Sequence, residues 1–190
     1  TDAVVRRGFA AAGAATRTPG RPLIAAPGQE NTNLTDRPLS DDIFFVGHSL
    51  VGHDIPAFIQ DFIGSTGGSG TVEKHIANGA PLKYQWENPG AGQGTNALDA
   101  LSSGAYEAIV LAEAVPLRNH LEWSGSIDSA AQFAQTAVNA NANAGTQIYV
   151  CEMWHSLNSG TGTDVPWDNY GHVPWRDRLD DDLVLWESIV

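Results

Sequence analysis

The chain has one cysteine, Cys151, and one methionine in 190 residues. A single cysteine excludes an intrachain disulfide and a cysteine-rich zinc site. No apolar run reaches the roughly 20 residues that a membrane-spanning helix needs. Basic residues are also scarce. Ten Lys and Arg stand against 22 Asp and Glu, for a formal charge of −12 that is spread along the chain with a local cluster at Asp180, Asp181 and Asp182. Such a surface repels phosphate backbones and anionic lipid heads, so nucleic acid and membrane surfaces are poor partners. No His-x-x-x-His or similarly tight ligand spacing occurs; Glu152, His155 and His172 form only a loose set, and neither a metal nor a cofactor is expected.

What is present is the material of one folded domain. Hydrophobic residues make up 42% of the chain and there are six Trp, enough to bury a real core at this length. Residues 1–40 differ from the rest, being rich in Ala, Gly, Pro, Thr and Arg and holding half of the basic residues. They are expected to form a flexible or surface-draped arm or linker ahead of a domain at 41–190. Arg6, Arg7 and Phe9, before a small-residue run, also resemble the end of a twin-arginine export signal, which would place the protein outside a bacterial cytoplasm, secreted or periplasmic.

From Asp41 onward, strand and helix signals alternate. IFFV (43–46), TVEKHIA (71–77), YEAIVLA (106–112) and TQIYVCE (146–152) read as buried strands. Asp54 can cap a helix with Ile55, Phe58, Ile59, Phe62 and Ile63 on its apolar face, closed by Gly64. A short helix is expected around Asn96 to Leu101, and Ser126 opens a long Ala-rich helix to about Asn143. Residues 153–175 read as a long loop, followed by a helix with Leu179, Leu183, Trp186 and Ile189 or Val190 on one face. Strands separated by helices predict a parallel, flavodoxin-like sheet in a three-layer α/β/α sandwich. In such sheets ligands sit beyond the carboxyl ends of the strands. Ser49, Gly79, Glu113 and His155 each follow one of those ends.

The stretch FFVGHSLVGHD (44–54) needs a chemical reading. Gly47 and Gly52 have the spacing of a phosphate loop, but His53 and Asp54 stand where Lys and Ser or Thr are required, and an Asp there would repel phosphate. The nucleophile elbow G-x-S-x-G fails as well, because Val51 occupies the second glycine position. What remains is strand, Gly-x-Ser, short turn and helix. That arrangement sets a serine at a strand edge near a helix start, where backbone N–H groups can stabilise an oxyanion; a plain turn serine would look the same.

DDIFFVGHSLVGHDIP resembles the first block of the SGNH/GDSL hydrolase family, a buried strand followed by Gly-Asp-Ser-Leu. Here residues 47–50 are Gly-His-Ser-Leu, with His48 where Asp is usual. The resemblance makes Ser49 the nucleophile. HIANGAPL aligns with the second block and puts Gly79 in the role of an oxyanion N–H donor. VLAEAVPL aligns with the third, with Glu113 in place of the family's Asn; Asn119, Asn78 or the backbone are the alternative donors. The fifth block, Asp-x-x-His, does not occur. The resemblance therefore leads to the expectation of a C-terminal strand and helix past Val190, carrying the true base, in a longer or two-piece protein.

A serine nucleophile needs an adjacent base. His48 and His53 flank the turn, His75 lies in a strand and His120 in an expected loop. His155 follows the fourth strand, where Glu152-x-x-His155 could mimic the missing pair, and His172 could fold over the site. Trp154, Trp167, Tyr170 and Trp175 cluster in the loop region; such rings stack on sugar faces or grip an acyl group, and equally pin down a loop by packing. The resulting expectation is a serine ester hydrolase acting on a carbohydrate O-acetyl or other small acyl ester. Ser49 and His155 would be catalytic, Ser49, Gly79 and the Glu113 position would form the oxyanion site, and His48, Trp154 and His172 would contact substrate. The alternative is a non-catalytic carbohydrate- or ligand-binding module on the same fold.

Overall fold

The fold was analysed in a computed structural model, which describes residues 41–140, 145–153, 173 and 175–189. The expected arm at 1–40 lies outside the described residues. Five strands form one sheet: β1 (Ile43–Gly47), β2 (Val72–Ile76), β3 (Gln93–Gly94), β4 (Ala108–Leu111) and β5 (Gln147–Val150). Their spatial order is β3-β2-β1-β4-β5. β1 pairs parallel with β2 (Ile43 opposite Val72) and with β4 (Ile43 opposite Ala108), and β4 pairs parallel with β5. Six helices surround the sheet: α1 (Asp54–Ser65), α2 (Leu82–Glu87), α3 (Ala97–Ser102), α4 (Leu117–Trp123), α5 (Ser126–Ala140) and α6 (Trp175–Glu187). α2, α3 and α5 pack on one another, α1 packs along β2, and α4 packs with α6. The architecture is the α/β/α sandwich that the alternation of strand and helix requires. Among the described residues no helix is long and apolar enough to cross a membrane.

The expected four parallel strands are β1, β2, β4 and β5. The fifth, β3, for which no strand was expected, runs antiparallel to β2, with His75 opposite Gly94. Glycine is required there. Gly94 has φ +101°, and a Cβ on it would overlap the Lys74 carbonyl. The helices α2 and α4 were also unexpected, and His120 lies on α4 rather than in a loop.

The core forms where both faces of β1 meet their helices. Phe44, Phe45 and Val46 are all buried, as are Ile109 and Leu111 of β4. α5 buries Ser126, Ser129, Ala130, Phe133, Ala134 and Ala137, a stripe at helical spacing whose small residues let the helix approach closely. Phe133 meets Trp86 edge-on at 5.1 Å between ring centroids, and Phe44 meets Tyr106 at 5.0 Å. At the amino-terminal edge, Asp42 Oδ1 accepts hydrogen bonds from the Thr71 N–H and hydroxyl (2.7 and 2.6 Å), and the Asp42 N–H donates to Glu107 Oε2 (2.7 Å). One residue thus fastens the starts of three strands.

Two helices bury only part of the apolar face that their periodicity suggests. In α1 only Pro56 and Ile63 are buried and Ile59 is partly so, while Phe58 is 71% and Phe62 52% exposed. The reason is polar. Gln60 Nε2–H donates to the Gly70 carbonyl (3.0 Å) and its Oε1 accepts the Val72 N–H (2.7 Å), which rotates the helix about the start of β2. In α6, Trp186 and Ile189 are buried together with Asp182, which pairs with Arg118 (3.0 Å), and Leu183 points outward.

Gly47, at the end of β1, has the tightest steric requirement near the serine. A Cβ there would sit 2.9 Å from Val51 Cγ2 and 3.4 Å from the Ala112 Cβ. Gly47→Ala is therefore expected to destabilise the protein by about 1–3 kcal/mol, and Gly47→Ala/Val51→Ala by less than the sum of the two single changes. Denaturant unfolding of the four proteins measures both quantities.

Candidate active site

β1 runs out at Gly47 into a tight turn. The Val51 and Gly52 N–H groups both donate to the His48 carbonyl (3.0 and 2.9 Å), and Gly52 takes φ +54° before α1 begins. His48 and Val51 are buried while Ser49 and Leu50 are exposed. Two buried neighbours thus anchor a turn whose tip is the serine.

The turn after β2 lies beside it. The Ala77 N–H donates to the Gly47 carbonyl (3.0 Å), extending the β1–β2 ladder by one residue, and the Ala80 N–H closes back on the Ala77 carbonyl (3.1 Å). Gly79 has φ +68° and no described non-glycine residue, Asn78 included, has a positive φ, so this is a type II turn. Nothing lies within 4 Å of where a Gly79 Cβ would sit, so glycine is required by the backbone and not by crowding. Asn78 and Gly79 face solvent, and the Gly79 N–H has no acceptor among the described residues.

The third component is the end of β4. From β1 the chain moves outward to β2, then returns to the other side of β1 as β4, so β1 and β4 flank the switch point where such sheets hold ligands. A buried hydrogen bond crosses that gap: His48 Nε2–H donates to the Glu113 carbonyl at 3.0 Å. The Leu50 N–H approaches His48 Nδ1 at 3.4 Å, which fixes Nδ1 as the acceptor and Nε2 as the protonated nitrogen. Burial lowers the His48 pKa, against the opposing pull of the Glu113 carbonyl, so the ring is neutral.

Glu113 itself is fully buried. Its Oε1 accepts the N–H groups of Leu82 (3.0 Å) and Ala114 (2.6 Å). Ser126, the first residue of α5, lies near this carboxyl, and neither Oε2 nor the Ser126 Oγ has a hydrogen-bond partner among the described residues. Burial raises the Glu113 pKa, opposed by the Ser126 hydroxyl and then by the two amides. A helix start favours negative charge by about 0.3–1 kcal/mol. Stripping a carboxylate of water with no cation beside it costs several kcal/mol. Burial is the larger effect, so the Glu113 carboxyl holds a proton more readily than an exposed one.

The expected site residues thus separate by position. Ser49 and Gly79 are exposed on adjacent turns of one edge. His48, expected to touch substrate, has both ring nitrogens engaged inside the protein. Glu113, at the family's Asn position, turns its carboxyl inward as an acceptor of N–H groups. Asn119 is buried on α4. His155, His172, Trp154, Trp167 and Tyr170 lie outside the described residues. β5 does bring Cys151, Glu152 and Met153 to the same edge, with the Cys151 N–H donating to the Leu111 carbonyl (2.7 Å). Among the described residues no three His, Cys, Asp or Glu side chains cluster as metal ligands would.

Two residues stand in surroundings that the sequence reading did not give them. His120 lies close enough to His48 for their repulsion to add to burial in lowering its pKa. Leu117 and Leu121, four apart, were the available sign of a helix there. Ser126 reads as a helix cap, and nothing local in the sequence couples it to Glu113. An open groove of about 660 Å³ lies elsewhere, between α4 and α6, lined by Arg118, Leu121, Glu122, Asp181, Val184 and Leu185. Ion pairs from Arg118 to Asp181 (2.7 Å) and Asp182 (3.0 Å) bridge its two helices.

No family model matches the chain, and no curated protein matches it. Among solved structures, a DUF4886 family protein from Bacteroides uniformis is similar, with a TM-score of 0.53 at 13% sequence identity over 79% of this chain. The chain spans 62% of the length of that protein. At this identity the likeness establishes the fold alone.

The buried histidines make stability depend on pH. His48, His75 and His120 all have pKa values lowered from 6.5 by burial. Below that value the unfolded chain takes up protons that the folded chain refuses, so their contribution is present above 6.5 and lost as pH falls through the folded values. Glu113 acts oppositely: its contribution is complete below 4.5 and is lost as pH rises through its raised folded value. Melting temperature should therefore fall between about pH 7 and about pH 5 as the histidine effect dominates. His75 Nδ1–H donates to the Thr95 carbonyl (3.1 Å), a bond that the amide nitrogen of His75→Asn can reproduce without titrating. That variant should show a shallower decline across the same window in thermal melts.

Proposed function

We propose that this protein is a serine ester hydrolase of the SGNH type, acting on a carbohydrate O-acetyl or other small acyl ester. The observation that carries this reading is the placement of Ser49 and Gly79. An exposed serine sits at the tip of a turn held by buried His48 and Val51, beside an exposed glycine N–H on the neighbouring turn, at the switch point of the sheet. The Gly-His-Ser-Leu resemblance supplies the reaction class.

In this mechanism Ser49 Oγ attacks the ester carbonyl carbon while a histidine takes its proton. The Ser49 and Gly79 N–H groups receive the oxyanion of the tetrahedral intermediate, each such donor contributing on the order of 10²–10³ in rate. Collapse breaks the bond to the alcohol, which leaves with the proton from the imidazolium. Water then repeats the sequence on the acyl-enzyme and restores Ser49. His155, which follows β5 in the chain, is the proposed base, with Trp154 and His172 as substrate contacts.

The second reading is a non-catalytic carbohydrate-binding module. It is favoured by the inward turn of the Glu113 carboxyl, which leaves the site without the side-chain donor that the family takes from Asn.

The enzyme reading predicts a burst of p-nitrophenol from p-nitrophenyl acetate and labelling of Ser49 by a fluorophosphonate. Ser49→Ala should lower kcat by about 10⁴-fold or more and abolish the labelling. Turnover retained in that variant overturns the assignment of Ser49 as nucleophile; a wild-type protein inert to both reagents decides for the binding module.

A further inference from the structure

We infer that Glu113 is a positioning residue for both turns of the site: its carbonyl holds the Ser49 turn through His48, and its side chain, as an un-ionised carboxylic acid, holds the segment that follows Gly79. The inference rests on the esterase reading for its kinetic consequence but not for its structural one.

Three hydrogen bonds and two buried, unpartnered atoms carry it. The Glu113 carbonyl accepts His48 Nε2–H at 3.0 Å, one residue before Ser49. Its Oε1 accepts the Leu82 N–H at 3.0 Å, three residues after Gly79, and the Ala114 N–H at 2.6 Å. Its Oε2 and the Ser126 Oγ are both buried without a hydrogen-bond partner among the described residues, and Ser126 lies near enough to act on the carboxyl. A proton on Oε2 lets the acid donate to Ser126, so that each polar atom of the carboxyl has a role. Among the described residues, none of the groups acting on this residue carries a charge that could neutralise a carboxylate: two amides, one hydroxyl and the His48 ring on the carbonyl side. A carbonyl and a carboxyl on one residue thus tie the ends of β1 and β2 to the end of β4. A local change in the sequence at Glu113 would be felt at the nucleophile and at the oxyanion donor together.

Glu113→Gln tests this directly, because the amide keeps an acceptor for Leu82 and Ala114 and a donor for Ser126. Glu113→Ala removes all three. With p-nitrophenyl acetate, Glu113→Ala should lower kcat by about 10²-fold with little change in KM, the size expected when reacting groups are displaced by about an ångström. Glu113→Gln should restore most of that loss. Two further readouts do not need catalysis. The wild-type infrared spectrum at neutral pH should contain the carbonyl stretch of an un-ionised carboxylic acid that disappears in Glu113→Gln. The Gly79 and Leu82 amide resonances should shift in Glu113→Ala and stay near their wild-type positions in Glu113→Gln. An ionised carboxylate in the wild type, or a Glu113→Gln variant as impaired as Glu113→Ala, overturns the inference. If Ser49→Ala shows that there is no esterase activity to lose, the infrared band and the amide shifts still decide the role of Glu113.

Discussion

The carboxyl edge of this sheet depends on the hydrogen bond from His48 to the Glu113 carbonyl. Where β1 and β4 end, the ladder between them ends too: the Ala112 N–H makes the last regular bond, to the Val46 carbonyl at 2.9 Å. Past that point two buried chains diverge, and a buried carbonyl without a donor would cost about 1–3 kcal/mol. His48 supplies the donor. Because its other nitrogen faces the Leu50 N–H, one tautomer meets both requirements, and burial keeps the ring neutral. An Asp at this position, as in the resembling family, could accept the Leu50 N–H but, once ionised, could not donate across the gap. The His at position 48 and the Glu at position 113 are thus two departures from the pattern that meet in one bond.

Steric constraints act on the same few residues. Val51 is buried beneath Gly47, and the space it fills is the space a Gly47 side chain would need. The residue that lifts Ser49 into solvent is therefore held by packing from below and by hydrogen bonding from the side. Gly79 shows the contrasting case, with open space around its missing Cβ and a positive φ that alone makes glycine necessary. One glycine is fixed by its neighbours and the other by the turn it makes.

The sequence disclosed the strands, the fold class and the shared edge because those follow from continuous apolar runs and the punctuation between them. It could not disclose β3. A two-residue antiparallel edge strand has no periodicity, and Gln93 and Gly94 look like any Gly-rich loop. In the site, Ser49 and Gly79 were legible because each follows directly on a buried strand. The coupling of Glu113 to Leu82 and Ser126 was not, since those contacts join residues far apart in the chain. His120 was expected in a loop because α4 is only seven residues long and Leu117 and Leu121 are its sole apolar pair at helical spacing.

The two partly buried helix faces have one cause. At about 100° per residue, Ile55, Phe58, Ile59, Phe62 and Ile63 cover an arc of roughly 140° on α1, which is broader than the contact a sheet offers one helix. Periodicity therefore identifies a helix and leaves its rotation open within that arc. Polar anchors settle it. Gln60 lies at one end of the arc and satisfies both a carbonyl and an N–H at the start of β2, so Ile63, Ile59 and Pro56 turn inward and Phe58 and Phe62 turn out. On α6, Asp182 does the same through Arg118, and Trp186 and Ile189 follow it inward while Leu183 does not. Apolar burial changes gradually as a helix rotates, whereas a buried hydrogen bond or ion pair is either made or lost. The steeper dependence on angle sets the final rotation, and for α1 that fixes the direction in which the chain leaves the Ser49 turn.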